Sequence, residues 1–428
     1  ALTDPAAFEF VQSLTTEVGQ RLAGTEAHRR AVGWAEARLK AAGFENVHSE
    51  PFTLRAWIRG TESAEIVAPV PQHLAITTLG GSVATDAGGI EAEIALFKTY
   101  DELLAAAPGS LTGKIAVVTQ RMVRVQDGSG YGAANAIRRA GPSEAAKRGA
   151  VGYLLRSLGT DSRRLPHTGA LNYADGVPKI PAAALSVPDA EQLERLAALG
   201  PVRIRLVLTP TVVDNAPSWN VVGEVKGSER PDEIVLIGGH LDSWDLGTGA
   251  TDDGAGCAIT FGAARLIATL PQRPRRTIRL VLFGAEEMDY SGAAYASAHA
   301  GETARIVMAA EADFGARNVY AVQLSPGAAA GEFGQTLQRA IAPLGANLDR
   351  RAALGGGDDI RDLQKAGVPA IALRQDGLDY FDTHHTADDT LDKIDPKQLN
   401  QAVAVWSAFV YLAAASDVDF RSLAAGAK

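Results

Sequence analysis

Between Ile234 and Gly256 the sequence reads IVLIGGHLDSWDLGTGATDDGAG, which places His240, Asp242, Asp245, Asp252 and Asp253 in one short stretch. An imidazole and several carboxylates in one loop suit a divalent metal such as zinc. Three further clusters repeat the theme: Glu286–Glu287 in LVLFGAEEMDYSG, Asp313 with Glu311 in VMAAEADFG, and His384–His385 in HHTADDT. A pair of divalent ions about 3.5–4 Å apart needs a bridging carboxylate, terminal histidine and acid ligands, and a water between them. The four clusters together supply each part.

Taken singly, each cluster is weak. Adjacent glutamates are usually a solvated pair, adjacent histidines usually lie in a surface loop, and a His-x-Asp is common. What argues for a site is their order, each after an apolar run that reads as a strand. Trp244 and Tyr290 read as structural or rim residues. Gly355–Gly357 lacks the Lys-Ser/Thr of a phosphate loop and reads as a tight turn beside the site, with Asp358 or Asp359 facing the pocket.

The elements that must carry these residues follow from periodicity. Ile234–Ile237, Thr277–Phe283, Arg305–Ala310 and Pro369–Leu373 are apolar, β-branched runs that read as buried strands. Segments near 254–270, 290–299, 331–344 and 397–414 read as helices. Such alternation predicts an α/β fold, a mostly parallel sheet flanked by helices, with sites outside the carboxyl ends of the strands. If strand geometry persists past Phe283, the Glu286 and Glu287 side chains point to opposite faces. Asp4–Gly43 reads helical and Val47–Leu54 as a strand. From 58 to 108 short apolar runs alternate with Gly and Pro, and within the rest of 58–208 Lys114–Thr119, Val151–Arg156, Ile180–Leu185 and Val202–Leu208 read as strands and Pro142–Gly149 as a short helix. This β-rich stretch holds almost no His and acid clusters, so it reads as an insertion. His167 in LPHTGALNY is its exception, and a lone loop histidine is more often structural. The expected division is therefore 1–57 with 209–428 as the catalytic domain and 58–208 as the inserted one.

Composition bounds the rest. At 428 residues the chain is long for one compact domain, and its 46% hydrophobic content is that of a globular protein. A net charge of −9 argues against nucleic acid or an anionic membrane surface as partner. No apolar run is long enough to span a bilayer. The one cysteine, Cys257, excludes an intrachain disulfide and a thiolate zinc cluster. A start at Ala1 fits a mature, periplasmic or secreted form, and a trimmed chain would look the same.

The succession HxD, GATDDGAG, AEE, EAD and HTxxDT resembles the co-catalytic di-zinc exopeptidases, the family of leucyl aminopeptidases and glutamate carboxypeptidases. VGQRLAGTEAHRRAVGWAEARLKAAGF and RRLPHTGALNYADGVPKIPAAALS extend the likeness, on the glutamate carboxypeptidase branch, over most of the chain. The resemblance implies a zinc-exopeptidase (phosphorylase/hydrolase-like) domain with a protease-associated-like cap, and two Zn²⁺ ions per chain. It implies His240, Asp252, Glu287, Asp313 and His385 as metal ligands, with Asp252 bridging. It implies Glu286 as general base and Asp242 as the carboxylate that orients His240. Glu311 competes with Asp313, and His384 with His385, although the HTxxDT pattern favours His385. It also implies a cis peptide at Asp252–Asp253. The expected activity is hydrolysis of short peptides, foremost dipeptides with free ends; a broader aminopeptidase and a metal-free receptor on the same scaffold are the rivals. A homodimer is a further expectation.

Overall fold

The computed structural model describes residues 1–349 and 355–425. The chain divides into two compact units, one of residues 1–54, 215–377 and 389–428, the other of 55–214 and 378–388. The expected insertion, 58–208, lies within the second unit, which also takes in the short segment 378–388.

In the first unit, five strands form one sheet: β1 (Glu45–Ile58), β2 (Thr211–Val225), β3 (Arg230–His240), β4 (Arg276–Phe283) and β5 (Ile306–Glu311), in the order β1-β2-β4-β3-β5. β1 and β2 run on into the second unit. β3 pairs in parallel with both β4 and β5, whereas β2 pairs antiparallel with β4. The site-bearing strands are thus parallel, as the alternation predicts, and the antiparallel partner is confined to one side. Each crossover is helical: Ala255–Ala268 between β3 and β4, Ser291–Ala298 between β4 and β5. Helix Ala255–Ala268 is buried along nearly its whole length. Its Gly262 faces Val403 of helix Pro396–Ala415, where an added Cβ would come within 3.2 Å of that side chain. A second sheet holds Val319–Gln323, Asn347–Asp349 and Ala372–Gln375. The strand expected at Pro369–Leu373 therefore begins at Ala372, with Ala370 making only an isolated bridge to Ala309.

The helix expected over Asp4–Gly43 is two helices, Ala6–Ser13 with a π turn to Val18, then Glu26–Ala41. Gly19 and Gly24, both at φ +78°, break it. Such a left-handed backbone suits glycine. Thr25 restarts the helix by accepting the His28 N–H on its side chain.

The second unit has an eight-stranded sheet. Glu62–Ala68, Arg203–Leu208 and Ile90–Phe97 pair antiparallel. Ile90–Phe97, Ile115–Val118, Gly152–Arg156 and Ala182–Leu185 pair in parallel. Ile115 and Val117 join one apolar core, Ala116 and Val118 another, so the run IAVV is buried on both faces. Four helices, Tyr100–Ala105, Ser129–Arg139, Gly141–Ala146 and Val187–Ala197, accompany the sheet. Three of these four helices were not expected. No helix among the described residues is long and apolar enough to cross a membrane.

Candidate metal centre

Register brings the chemistry to one level. His240 ends β3 opposite Phe283 of β4, and Gly238 lies opposite Glu311 of β5. The turn holding Glu286 and Glu287 follows Phe283, and Asp313 follows Glu311, so three neighbouring parallel strands deliver their acidic loops at the same carboxyl edge.

His240 is fully buried. Its Nε2 lies 3.1 Å from Asp252 Oδ1, 3.5 Å from Asp313 Oδ1 and 4.0 Å from Glu286 Oε2. Its Nδ1 turns the other way, 3.1 Å from the main-chain oxygen of Asp242 and 3.5 Å from Asp242 Oδ1. One ring nitrogen is thus fixed by Asp242 while the other faces the acids, the arrangement of a ligating histidine. Ligand-capable atoms of His240, Asp252 and Asp313 all lie within 4.8 Å of one another, within the reach of a single ion. The Asp252–Asp253 peptide is cis. Asp253 is directed away from this group: its Oδ2 accepts the His240 N–H at 2.9 Å and its Oδ1 the Gly256 N–H at 3.0 Å.

The two glutamates lie in a turn, not on a continuing strand. Asp289 donates its N–H to Glu286 O at 2.7 Å and adopts φ +61°. The strand-alternation argument for their opposed side chains therefore does not apply. The turn is held instead by hydrogen bonds. Asp242 Oδ1 accepts the Glu286 N–H at 3.1 Å, and Oδ2 accepts the Glu287 N–H at 3.4 Å. At its base, Asn220 Oδ1 accepts the Gly284 N–H, and the Ser218 hydroxyl donates to Gly284 O. Gly284 has no room for a side chain, since a Cβ there would sit 2.0 Å from Trp219 O.

Glu311 has a different task from Asp313. Its Oε2 accepts the Asp359 N–H at 3.0 Å and its own N–H donates to Gly356 O at 3.1 Å. It holds the glycine turn that follows the undescribed residues. Gly357, at φ +126°, is required there, because a Cβ would lie 2.0 Å from Glu311 Oε2. Asp359 is buried and accepts the Ser291 hydroxyl at 2.6 Å, whereas Asp358 pairs with Arg361 at the surface.

His384 and His385 belong to the second unit and are described within it. Their rings stack 3.5 Å apart. His384 is enclosed by the Tyr131, Tyr380 and Phe381 rings, each 5.0–5.2 Å away. His385 instead sets Nδ1 3.3 Å from Thr168 O, and Thr168 N–H donates back to His385 O at 3.0 Å. A neutral imidazole donating from Nδ1 to a carbonyl carries its lone pair on Nε2, which is the preparation of a ligand. His167, next to Thr168, is buried with Nε2 3.5 Å from Asp161 Oδ2 and reads as structural.

The electrostatics fit a cation. Burial opposes protonation of His240, but Asp242, Asp252 and Asp313 more than offset it and hold the imidazole well above its ordinary range. Burial also lifts the Glu286 carboxyl well above its usual value, with Asp313 and Glu287 adding repulsion against the pull of His240. Asp313 is raised for the same reasons, burial first. Acids crowded in a dry pocket around a histidine repel one another, and a divalent cation relieves that repulsion. The donor set of nitrogen and carboxylate oxygen suits a borderline-soft ion.

Two residues of this region carried no expected role. Arg21, fully buried, and Asp389, the second aspartate of HTADDT, both bind the loop between His240 and Asp252. Nothing in sequence spacing marks Arg21. Asp389 stood inside a quoted pattern without a task.

Residues 220–410 match Peptidase family M28. Mouse carboxypeptidase Q is 39% identical over 412 residues, 96% of this chain and 86% of the mouse protein. The crystal structure of a peptidase M28 precursor from Shewanella amazonensis SB2B is 46% identical, with a TM-score of 0.94 over 98% of this chain and 95% of that one. A zinc aminopeptidase from Bacillus subtilis shares the fold at 18% identity, with a TM-score of 0.68 over 96% of this chain and 95% of its own.

Proposed function

The chain belongs to peptidase family M28, and from that premise we propose that it is a secreted or periplasmic di-zinc exopeptidase that hydrolyses short peptides, foremost dipeptides with both ends free. The observation that carries the reading is the convergence of His240 Nε2, Asp252, Asp313 and the Glu286 carboxylate at one strand edge. The proposed holders of one zinc are His240, Asp252 and Asp313. For the other they are Glu287 and His385, with Asp252 shared between the two. His385 enters through its place in HTADDT and through the orientation of its own ring by Thr168.

Zinc, when bound, lowers the pKa of a coordinated water towards neutrality and polarises the scissile carbonyl. The rest falls to side chains. Glu286 is the proton carrier: it takes a proton from the attacking water and gives it to the leaving amine. Its buried surroundings raise its basicity. Asp242 keeps His240 Nδ1 engaged and so keeps Nε2 aimed at the acids.

A hydrolysis panel tests this reading. Free dipeptides, end-blocked dipeptides and a decapeptide are compared with and without a chelator. Free dipeptides should be cleaved best and the chelator should abolish turnover. Equal trimming of the decapeptide would replace the dipeptidase with a broader aminopeptidase. Turnover that survives complete removal of metal would remove the metal mechanism, and absence of both zinc and turnover would favour a receptor.

A further inference from the structure

The loop Leu241–Thr251 joins one proposed ligand to the next and is gripped by two charged side chains that are not ligands. Arg21 donates from Nε to Leu241 O at 2.5 Å, from Nη1 to Thr248 O at 2.7 Å and from Nη2 to Gly249 O at 2.8 Å. A fourth bond, from Nη1, goes to Gly19 O at 3.2 Å. All four acceptors are main-chain carbonyls. Asp389 meets the same loop through its amides. Its Oδ1 accepts the Thr251 N–H at 2.6 Å and the Thr251 hydroxyl at 2.7 Å, and its Oδ2 accepts the Asp252 N–H at 3.1 Å. Its main-chain oxygen accepts the Thr248 N–H at 2.9 Å.

Residues 241–249 are buried for the most part and form no strand or helix, so their main-chain groups need partners from elsewhere. The guanidinium supplies donors and the carboxylate supplies acceptors. A planar fork of fixed N–H directions can hold three carbonyls in one geometry, which a flexible ammonium cannot. The last amide held is that of Asp252 itself, whose Oδ1 stands 3.1 Å from His240 Nε2.

We propose that Arg21 and Asp389 are positioning residues, a pair of opposite charge that fixes the His240–Asp252 loop and thereby sets the affinity of the centre for its cation. This rests on the metal-dependent reading above. Neither side chain touches the reacting atoms. Their effect should fall on metal binding and not on peptide binding.

The test is a zinc titration of chelator-stripped protein against a chromophoric competitor, for wild type, Asp389→Asn and Arg21→Lys, with the melting temperature of each stripped protein recorded alongside. Asn presents one acceptor and one donor where two main-chain N–H groups point, so one contact becomes repulsive. Loss of an outer partner of a metal ligand typically costs about 10–100-fold in affinity. The expected result is zinc affinity reduced by that factor in both variants, with the stripped proteins melting close to wild type. At saturating zinc, kcat should recover towards wild type with KM for the dipeptide unchanged. Zinc affinities within about twofold of wild type would overturn the proposal, as would a fall in melting temperature with no change in affinity. If wild type itself binds no zinc, it is the metal reading that fails. Should Asp389→Asn not fold, Thr251→Val removes only the hydroxyl donor and is read by the same titration: weaker zinc binding supports the clamp and unchanged binding overturns it.

Discussion

Asp242 and Glu286 are joined by a hydrogen bond, the Glu286 N–H to Asp242 Oδ1 at 3.1 Å, and that same oxygen lies 3.5 Å from His240 Nδ1. One buried carboxylate therefore sets both the imidazole and the turn that carries the proposed proton carrier. Its role is wider than the orientation of histidine that the sequence pattern implies.

It follows that Asp242→Asn should damage two functions at once. A carboxamide cannot accept from the Glu286 and Glu287 amides and also from His240 without turning its NH₂ onto a donor. Zinc affinity or kcat should fall by about 10–100-fold. Zinc counting and kcat at saturating zinc measure the two effects separately. A variant with wild-type values for both would show that the Asp242 contacts carry no weight.

The adjacent glutamates should separate by assay. Glu286→Gln should keep its metal and fold and lose most turnover, since acid–base assistance typically contributes about 10²–10⁴-fold. Glu287→Gln should lose one zinc, with partial rescue by excess zinc. If Glu286→Gln empties a metal site while Glu287→Gln stays metal-replete and inactive, the roles are exchanged.

What could be read from the sequence, and what could not, divides along physical lines. His240 and Asp313 stand beside apolar runs whose strand character is local, and the level of their strand ends follows from parallel pairing of those runs. Arg21 left no such trace, because its partners Leu241 and Gly249 lie 220 and 228 residues further along the chain and offer only carbonyls. The helix Ser129–Arg139 was hidden by a glycine-rich start that reads as a loop. Helix Val187–Ala197 was not hidden: Ser186 caps it and Pro188 sits in its first turn, both ordinary start signals. The inclusion of 378–388 in the second unit depends on contacts such as Thr168 with His385, which no local pattern announces.

His28 gives a stability prediction in acid. It is buried in the first turn of helix Glu26–Ala41, with Nε2 3.0 Å from the Ser218 hydroxyl oxygen. Burial lowers its pKa to about 4, against a weaker opposing pull from Asp242. The unfolded chain, with a histidine near 6.5, therefore binds more protons between these values, so stability rises with pH across that window and is lost as pH falls through it. The whole effect amounts to about 3 kcal/mol. Urea unfolding of stripped wild type and His28→Gln at pH 7 and pH 4 should show wild type losing more by roughly that amount. Equal losses would mean that His28 is charged in the folded protein.

His299 should act with the opposite sign. Its ring stacks on Tyr295 at 4.1 Å, its Nε2 lies 2.9 Å from Glu50 Oε1, and its Nδ1 lies 2.5 Å from Glu302 Oε1. Partial burial opposes its charge, and the two carboxylates more than offset that, so its pKa is raised. A raised folded value means stability fully present below the unfolded histidine pKa, near 6.5, and lost as pH rises through the folded one. Glu50 is the reciprocal case. Burial would raise it, but His299 and His48 hold it below its usual value, so its contribution is lost only as pH falls into the carboxylate range. The network is therefore strongest between the two, and it is partly exposed, so the effect should be modest and weakened by salt. Thermal melts from pH 6 to 9 should show wild type losing stability on the alkaline side relative to His299→Gln, with the difference shrinking in high salt. A constant difference across that range would show that His299 is neutral throughout and held by packing on Tyr295 alone.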